Sequence, residues 1–201
     1  MKILLTGANG AIGSSLKKLL PFNVAARSHH ELDITDKDSI AKAVDEVRPD
    51  LIINSAVIKN PLSEEKKELA CQVNVIGVKN LCETGIKLLQ ISSVVVLRPK
   101  DWYSVTKLAA ENLIDANKHL IIRLSFPHND VLLAKAVVNL IDKTGVYNLW
   151  ELQCPYLKNR IIIFLRKVLL KLQTEPGSIS RLGFGFIKRK VLPILKANKQ
   201  K

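Results

Sequence analysis

Cysteine, histidine and long apolar runs are scarce in this chain of 201 residues. The odd number of cysteines does not suit a disulfide framework, and neither residue type shows metal-ligand spacing: Cys71, Cys82, Cys154, His29, His30, His119 and His128. We therefore expect no metal site, buried thiols at Cys71 and Cys82, and a reducing compartment.

No apolar run approaches the roughly 18 residues of a membrane-spanning helix. The apolar start, Ile3 to Leu5, is too short for the core of a signal peptide and is soon interrupted by Gly7. We expect no signal peptide and no spanning segment, and hence a cytoplasmic protein.

A glycine-rich turn, T-G-A-N-G-A-I-G over residues 6–13, stands between an apolar strand at 2–5 and a helical pattern at 14–20. Its three glycines allow a tight turn and a close approach to a ligand, and the free N–H groups at a helix start attract anions. This strand–turn–helix order predicts a pyrophosphate site for a dinucleotide.

Short apolar strands alternate with helical patterns through the first 150 residues. The predicted strands are 23–26, 51–54, 87–96, 119–124 and 146–149, and the predicted helices are 36–47, 63–84, 102–117 and 130–142. This alternation predicts an α/β fold with a Rossmann-type, doubly wound parallel sheet. We expect this domain to span residues 1–154 and a basic appendage to span 155–201.

Tyr103 and Lys107 lie four residues apart on one face of a predicted helix. A nearby ammonium favours the phenolate, so we expect a lowered pKa for Tyr103 and a role as proton donor or acceptor. Ser93, at the end of the preceding strand, is placed to bond the same substrate oxygen.

Together these motifs resemble the extended short-chain dehydrogenase/reductases, and within them the nucleotide-sugar group of dTDP-4-dehydrorhamnose reductases, epimerases and dehydratases. The likeness covers about residues 1–150 and includes Leu32–Asp36, Arg48–Ala56, Asn74–Gly77 and Gly145–Leu149. It implies a general acid at Tyr103, a ribose-binding lysine at Lys107 and a carbonyl-orienting hydroxyl at Ser93. It also implies contacts to three parts of the cofactor. The pyrophosphate would be held by Gly7, Gly10, Ala11, Ile12 and Gly13. The adenine would be flanked by Asp33 and Ile34, and the nicotinamide ribose would be lined by Ala56, Val57 and Ile58.

The second strand ends in Arg27-Ser28, without the acidic residue expected for an NAD-specific ribose contact. Arg27 can pair with a 2′-phosphate, so NADP(H) is favoured and NAD(H) remains open. Two loops are shorter than in the resembling enzymes, one between Ser93 and Tyr103 and one between Arg123 and Asp130. The substrate region is therefore reduced.

Positive charge is concentrated at the C-terminal end. The net charge is +13, and residues 155–201 hold 12 of the 31 Lys and Arg residues but only one acid, Glu175. The stretch 161–172 is an amphipathic helical pattern with basic residues on one face. It suggests a reduced substrate lobe, a helix on an anionic membrane surface at the inner face, or a loose basic tail. Nucleic acid binding is not expected, because stacking aromatics are few.

The resemblance implies an NADP(H)-dependent reductase of a nucleotide-activated keto-sugar, serving polysaccharide precursor synthesis. Two alternatives stay open: an NAD-dependent 4-epimerase or dehydratase, and a catalytically impaired dinucleotide-binding subunit or scaffold. A homodimer is also left open.

Overall fold

Six parallel strands form one sheet in a computed structural model that describes residues 1–125 and 129–149. The sheet order is β2-β1-β3-β4-β5-β6. The strands are β1 (Lys2–Thr6), β2 (Asn23–Arg27), β3 (Leu51–Asn54), β4 (Lys87–Ser93), β5 (Leu120–Leu124) and β6 (Gly145–Asn148). The predicted appendage at 155–201 lies outside the described residues.

Helices connect the strands. They are α1 (Ala11–Leu19), α2 (Lys37–Val47), α3 (Leu62–Glu65), α4 (Lys67–Cys71), α5 (Gly77–Glu83), α6 (Trp102–Asn112) and α7 (Asp130–Leu140), with a π-helical turn at Gln72–Ile76 and a 3₁₀ turn at Val94–Leu97. Within the described part of the chain, no helix is long and apolar enough to cross a membrane.

Alternate residues of the strands supply two apolar cores, one on each face of the sheet. Ile3, Leu5 and Ile53 belong to the core that α1 and α7 cover. Leu4 and Ile52 belong to the opposite core, which α2, α5 and α6 cover. Burial on both faces explains why the strands read as continuous apolar runs, and it confirms the doubly wound architecture.

Side chains fix the helix starts that position the loops at the carboxyl edge of the sheet. Asp36 begins α2 by accepting a hydrogen bond from the Asp38 N–H (3.0 Å). Asp101 begins α6 through a reciprocal capping box with Ser104. The carboxylate of Asp101 accepts the Ser104 N–H at 2.8 Å, which anchors the residue after Tyr103.

The prediction of one continuous helix over 63–84 is wrong, because the structure divides this stretch into shorter segments. The backbone leaves helical geometry at Lys66 (φ −124°, ψ 67°) and forms a π-helical turn at Gln72–Ile76. The indole N–H of Trp102 donates to the C=O of Lys67, the first residue after this break (3.0 Å). The π-helical turn carries Asn74, which is almost fully buried.

Two other predicted elements end earlier than expected. β4 ends at Ser93, where its pairing with β5 also ends, and the chain turns into the 3₁₀ segment Val94–Leu97. Helix α6 ends at Asn112, and a turn in which the Asn117 N–H donates to Asp115 (3.0 Å) follows.

The strand order reverses direction between β1 and β3. From β1 the chain first adds β2 on one side and then β3 on the other. The pairing of β3 with β4 stops at Asn54–Gln90, while β4 continues to Ser93. In open parallel sheets such a switch point forms a crevice at the carboxyl ends of the strands, and ligands bind there.

Candidate active site at the carboxyl edge of the sheet

The glycine-rich turn joins β1 to α1 without a side-chain cap. Gly10 is the N-cap, and the first helical hydrogen bond runs from the Ser14 N–H to the Gly10 C=O (2.9 Å). The N–H groups of Ala11, Ile12 and Gly13 precede that bond and thus have no acceptor within the helix. An uncapped helix start with three such donors is a ready site for a phosphate.

Two of the glycines are required by close contacts inside the protein. Gly7 has φ +68°, and a Cβ there would lie 2.6 Å from the Ala56 nitrogen. A Cβ on Gly13 would lie 2.2 Å from the Gly7 carbonyl oxygen. Gly10 is exposed and has more space, because a Cβ there would meet only the Gly7 carbonyl oxygen, at 3.3 Å. The first and third glycines therefore serve packing, and the second leaves room beside the turn.

Despite the short loop between them, Ser93 lies near enough to Tyr103 for its side chain to lower the pKa of the phenol. Ser93 ends β4, and its Oγ also accepts the Val95 N–H (3.4 Å). Tyr103 lies in the first turn of α6 and is only partly buried. The two hydroxyls are thus together at the carboxyl edge of the sheet.

The predicted lowering of the Tyr103 pKa is wrong for this state of the protein. Burial raises the pKa of Tyr103, the hydrogen bond from Ser93 partly opposes this, and the Asp101 charge adds to the increase. The Lys107 ammonium is instead directed to the Ile91 C=O, to which it donates at 2.6 Å. The phenol of Tyr103 therefore stays protonated at neutral pH.

Lys107 is almost completely enclosed, with 3 % of its surface exposed. Burial lowers the pKa of Lys107 to about 8, and the Glu111 carboxylate opposes the decrease. A lysine in such a place holds a positive charge at neutral pH but loses it within the mildly alkaline range.

A buried hydrogen-bonded chain links the turn to Lys107. Thr6 Oγ1 donates to Asn54 Oδ1 (2.6 Å), and Asn54 Nδ2 donates to Gln90 Oε1 (2.8 Å). Gln90 Nε2 donates to the Ile91 C=O (2.7 Å), the same carbonyl that accepts from Lys107. The sequence prediction missed Asn54 and Gln90 as site residues, although a polar residue inside an apolar strand was a usable signal.

The loop after β3 is held by a second amide. Asn74 Oδ1 accepts the Ile58 N–H (2.8 Å), and Asn74 Nδ2 donates to the Ile58 C=O (2.8 Å) and to Thr106 (3.0 Å). This fixes Ile58, which is predicted to line the nicotinamide ribose together with Ala56 and Val57, against α6. All three predicted residues are half-buried beside the crevice.

Arg27 lies at the end of β2, in register with Thr6 of the adjacent strand. Its guanidinium is 3.7 Å from the Glu46 carboxylate. The neighbouring Ser28 donates from its N–H (2.8 Å) and its hydroxyl (2.7 Å) to Glu31. Sequence reasoning overlooked Glu31, a carboxylate that lies next to the predicted 2′-phosphate contact.

Asp33 and Ile34, predicted to flank the adenine, follow β2 at the same edge of the sheet. Asp33 Oδ1 accepts hydrogen bonds from the N–H and the hydroxyl of Thr35 (2.9 and 2.8 Å), so its carboxylate shapes the loop. Ile34 is buried, and its side chain lies so close to Gly77 that a Cβ there would meet it at 2.6 Å.

An open pocket of about 730 Å³ lies at the opposite ends of β4 and β5, away from these residues. It contains Cys82, Lys87 and His119, and Lys87 Nζ already donates to the Ile141 C=O (2.8 Å).

Burial raises the pKa of the Cys82 thiol to about 11. Cys82 and Cys71 are free thiols and only partly buried, not fully buried as expected. Among the described residues, no cluster of His, Cys, Asp and Glu could hold a metal.

The fold and the crevice define a Rossmann-type domain of the short-chain dehydrogenase/reductase class. A family model described as the RmlD substrate binding domain matches residues 1–144. The chain belongs to this family.

Curated relatives are dTDP-4-dehydrorhamnose reductases. The chain is 41 % identical over 91 residues to that of Aggregatibacter actinomycetemcomitans, covering 43 % of this chain and 31 % of the relative. It is 31 % identical over 153 residues to that of Salmonella typhimurium strain LT2, covering 63 % and 51 %. The chain thus spans 31 % and 51 % of the lengths of these two relatives.

Solved structures agree with the fold. A dTDP-4-dehydrorhamnose reductase from Clostridium acetobutylicum is 28 % identical, with a TM-score of 0.65 and coverage of 74 % of this chain and 73 % of that one. The Bacillus anthracis dTDP-4-dehydrorhamnose reductase in complex with NADP is 24 % identical, with a TM-score of 0.66 and coverage of 74 % of each chain. The second likeness bears on the fold alone.

Proposed function

We propose that this protein is an NADP(H)-dependent reductase of a nucleotide-activated keto-sugar, of the dTDP-4-dehydrorhamnose reductase type. The observation that carries the proposal is the meeting of the Ser93 and Tyr103 hydroxyls beside the glycine-rich turn, with Lys107 enclosed one helical turn further along α6. The family membership and the names of the relatives support the same substrate class.

The residues at the turn fit a dinucleotide. Three backbone N–H groups precede the first hydrogen bond of an uncapped helix, and Gly10 leaves space beside them. Gly7, Gly10, Ala11, Ile12 and Gly13 would hold the pyrophosphate. Cofactor-bound relatives of this fold include the NADP complex from Bacillus anthracis and a UDP-glucose 4-epimerase from Thermus thermophilus with NAD.

Tyr103 would protonate the carbonyl oxygen of the sugar. A bound reduced nicotinamide would supply the hydride for this reduction. The Tyr103 O–H would give its proton to the carbonyl oxygen as negative charge develops there, and the C=O group would become an alcohol. Ser93 would donate a hydrogen bond to the same oxygen and thus orient it.

Reduction suits this arrangement better than epimerisation. An epimerase begins by removing a proton from an alcohol, which requires a tyrosinate. Burial raises the pKa of Tyr103, so the resting enzyme holds the phenol that a reductase needs. The raised pKa therefore favours a proton donor over a proton acceptor.

The test is turnover of dTDP-4-dehydrorhamnose with NADPH or NADH, which is measured as the loss of the absorbance of the reduced nicotinamide. Tyr103→Phe should lower the rate about 10²- to 10⁴-fold while cofactor affinity is retained. Tyr147→Phe, which alters a tyrosine on β6, is the matched control and should keep full activity. Equal rates in Tyr103→Phe and the natural protein would reject the assignment of Tyr103. Cofactor binding without turnover in the natural protein would favour a scaffold.

Three finer points belong to this proposal. The cofactor domain would span residues 1–154, and the basic segment 155–201 would make a peripheral contact with anionic membrane surfaces. The protein would act as a homodimer. Vesicle flotation with and without anionic lipid tests the contact, and light scattering of the full chain tests the dimer.

A further inference from the structure

The carboxylate of Glu111 is buried between α6 and the sheet, with 7 % of the residue exposed. It accepts hydrogen bonds from the Ser92 hydroxyl (2.5 Å) and from Arg123 Nε (3.0 Å) and Nη2 (2.6 Å). Such a bidentate pair fixes both position and orientation. The carboxylate is thereby anchored to two neighbouring strands, β4 and β5.

Glu111 also lies one helical turn after Lys107 on the same face of α6. Lys107 donates to the Ile91 C=O and Glu111 accepts from Ser92, so consecutive residues of β4 bind consecutive turns of the helix. This pair of contacts fixes the rotation of α6 and its height above the sheet. Both settings also determine where Tyr103, a further turn back, is directed.

Glu111 is the nearby charge that favours the protonated form of Lys107 against burial. The charged partner of the Glu111 carboxylate is Arg123 on β5, the neutral Gln90 on β4 shares the Ile91 C=O with Lys107, and Tyr103 lies one turn before Lys107 on α6. The guanidinium of Arg123 neutralises part of the Glu111 charge. Because of this, the field of Glu111 at Lys107 is weaker than that of a free carboxylate.

We propose that Glu111 and Arg123 act as a positioning pair that holds Lys107 in place and adjusts its charge. The inference rests on the proposed function only in taking Lys107 as the residue that binds the cofactor ribose. Neither member of the pair touches substrate or cofactor in this scheme. Arg123 limits the attraction that Glu111 exerts, and Glu111 keeps the enclosed lysine charged.

If the pair acts in this way, removing the charge of Glu111 and removing the charge of Arg123 should shift the pKa of Lys107 in opposite directions. Glu111 raises the pKa of Lys107, so removing its charge should lower that pKa by roughly one unit, the lower end of what a nearby opposite charge contributes. Removing the charge of Arg123 should raise the pKa of Lys107, because Glu111 is then unopposed. A purely structural ion pair would give destabilisation in both variants without opposite shifts in the lysine pKa.

The experiment is a ¹³C NMR titration of the full-length protein labelled at lysine Cε, with the Lys107 signal assigned by Lys107→Met. Glu111→Gln and Arg123→Gln are compared with Ser92→Ala, which removes one hydrogen bond of the carboxylate but no charge. We expect a decrease, an increase and no change, respectively. Shifts of the same sign in the first two, or no shift, would overturn the inference. If Glu111→Gln does not fold, the contrast between Arg123→Gln and Ser92→Ala decides.

A second measurement separates this inference from the proposed function. NADPH binding to Glu111→Gln should weaken several-fold between pH 7 and pH 8.5, whereas the natural protein should change less over this range. Unchanged pKa values with normal NADPH binding would refute the positioning pair and leave the reductase intact. Opposite pKa shifts in a protein that binds no dinucleotide would refute the reductase and leave the pair intact.

Discussion

Replacing Lys107 by methionine should make the protein more stable while removing its proposed activity. Methionine has a similar length and flexibility, and it needs no hydrogen bond. The Ile91 carbonyl would keep the hydrogen bond from Gln90 at 2.7 Å, so no buried acceptor is left unpaired. The substitution therefore removes a buried charge without opening a comparable defect.

The magnitude follows from the pKa of Lys107, which burial lowers from the usual 10.5 to about 8. Each unit corresponds to about 1.4 kcal/mol, so keeping the buried lysine protonated costs about 3 kcal/mol at pH 7. Above pH 8 the folded protein loses this proton while the unfolded chain keeps it up to about 10.5. The natural protein should therefore gain stability as pH rises through this window, and the advantage of Lys107→Met should disappear.

Urea unfolding followed by circular dichroism at pH 7, 9 and 10.5 measures the difference. We expect Lys107→Met to be about 1–3 kcal/mol more stable at pH 7 and about equal to the natural protein at the highest pH. Lys118→Met, which alters an exposed lysine, should stay within about 0.5 kcal/mol throughout. A Lys107→Met variant that is less stable than the natural protein at pH 7 would refute the reasoning.

Two further predictions concern packing and acid stability. Gly13→Ala should cost about 1–3 kcal/mol in urea unfolding, because its Cβ would meet backbone atoms 2.2 Å away, and Gly10→Ala should cost less; equal losses would contradict this. His119 accepts the Leu88 N–H at 3.1 Å, and burial lowers the pKa of His119. Stability should therefore fall as pH drops below about 6.5, and His119→Asn, which keeps an acceptor, should reduce this slope; an unchanged slope would exclude His119 as its source.

Local sequence spacing was enough to predict the local structure of those parts of the candidate site that lie within one element. The glycine-rich turn is encoded in eight consecutive residues, and Tyr103 and Lys107 are one helical turn apart. The strands could be predicted because burial on both faces leaves continuous apolar runs. These features need no information about which strands are neighbours.

Features that depend on strand register could not be predicted. Asn54 meets Gln90 only because β3 and β4 pair with these two residues opposite each other. Glu111 meets Arg123 only after α6 has packed against the sheet. The contact of Trp102 with the Lys67 C=O likewise joins residues 35 apart in sequence. The periodicity of apolar residues along the chain does not predict such contacts.

The contact between Gly7 and Ala56 constrains the turn after β1 and the loop after β3, whereas it does not involve the segments after β4 and β5. At 2.6 Å from a would-be Cβ to the Ala56 nitrogen, the turn after β1 and the loop after β3 have no room to slide past each other. These two loops are therefore held in one arrangement. New substrate preferences, in evolution or in the laboratory, should come from changes after β4 and β5, because insertions there would leave the Gly7–Ala56 contact in place.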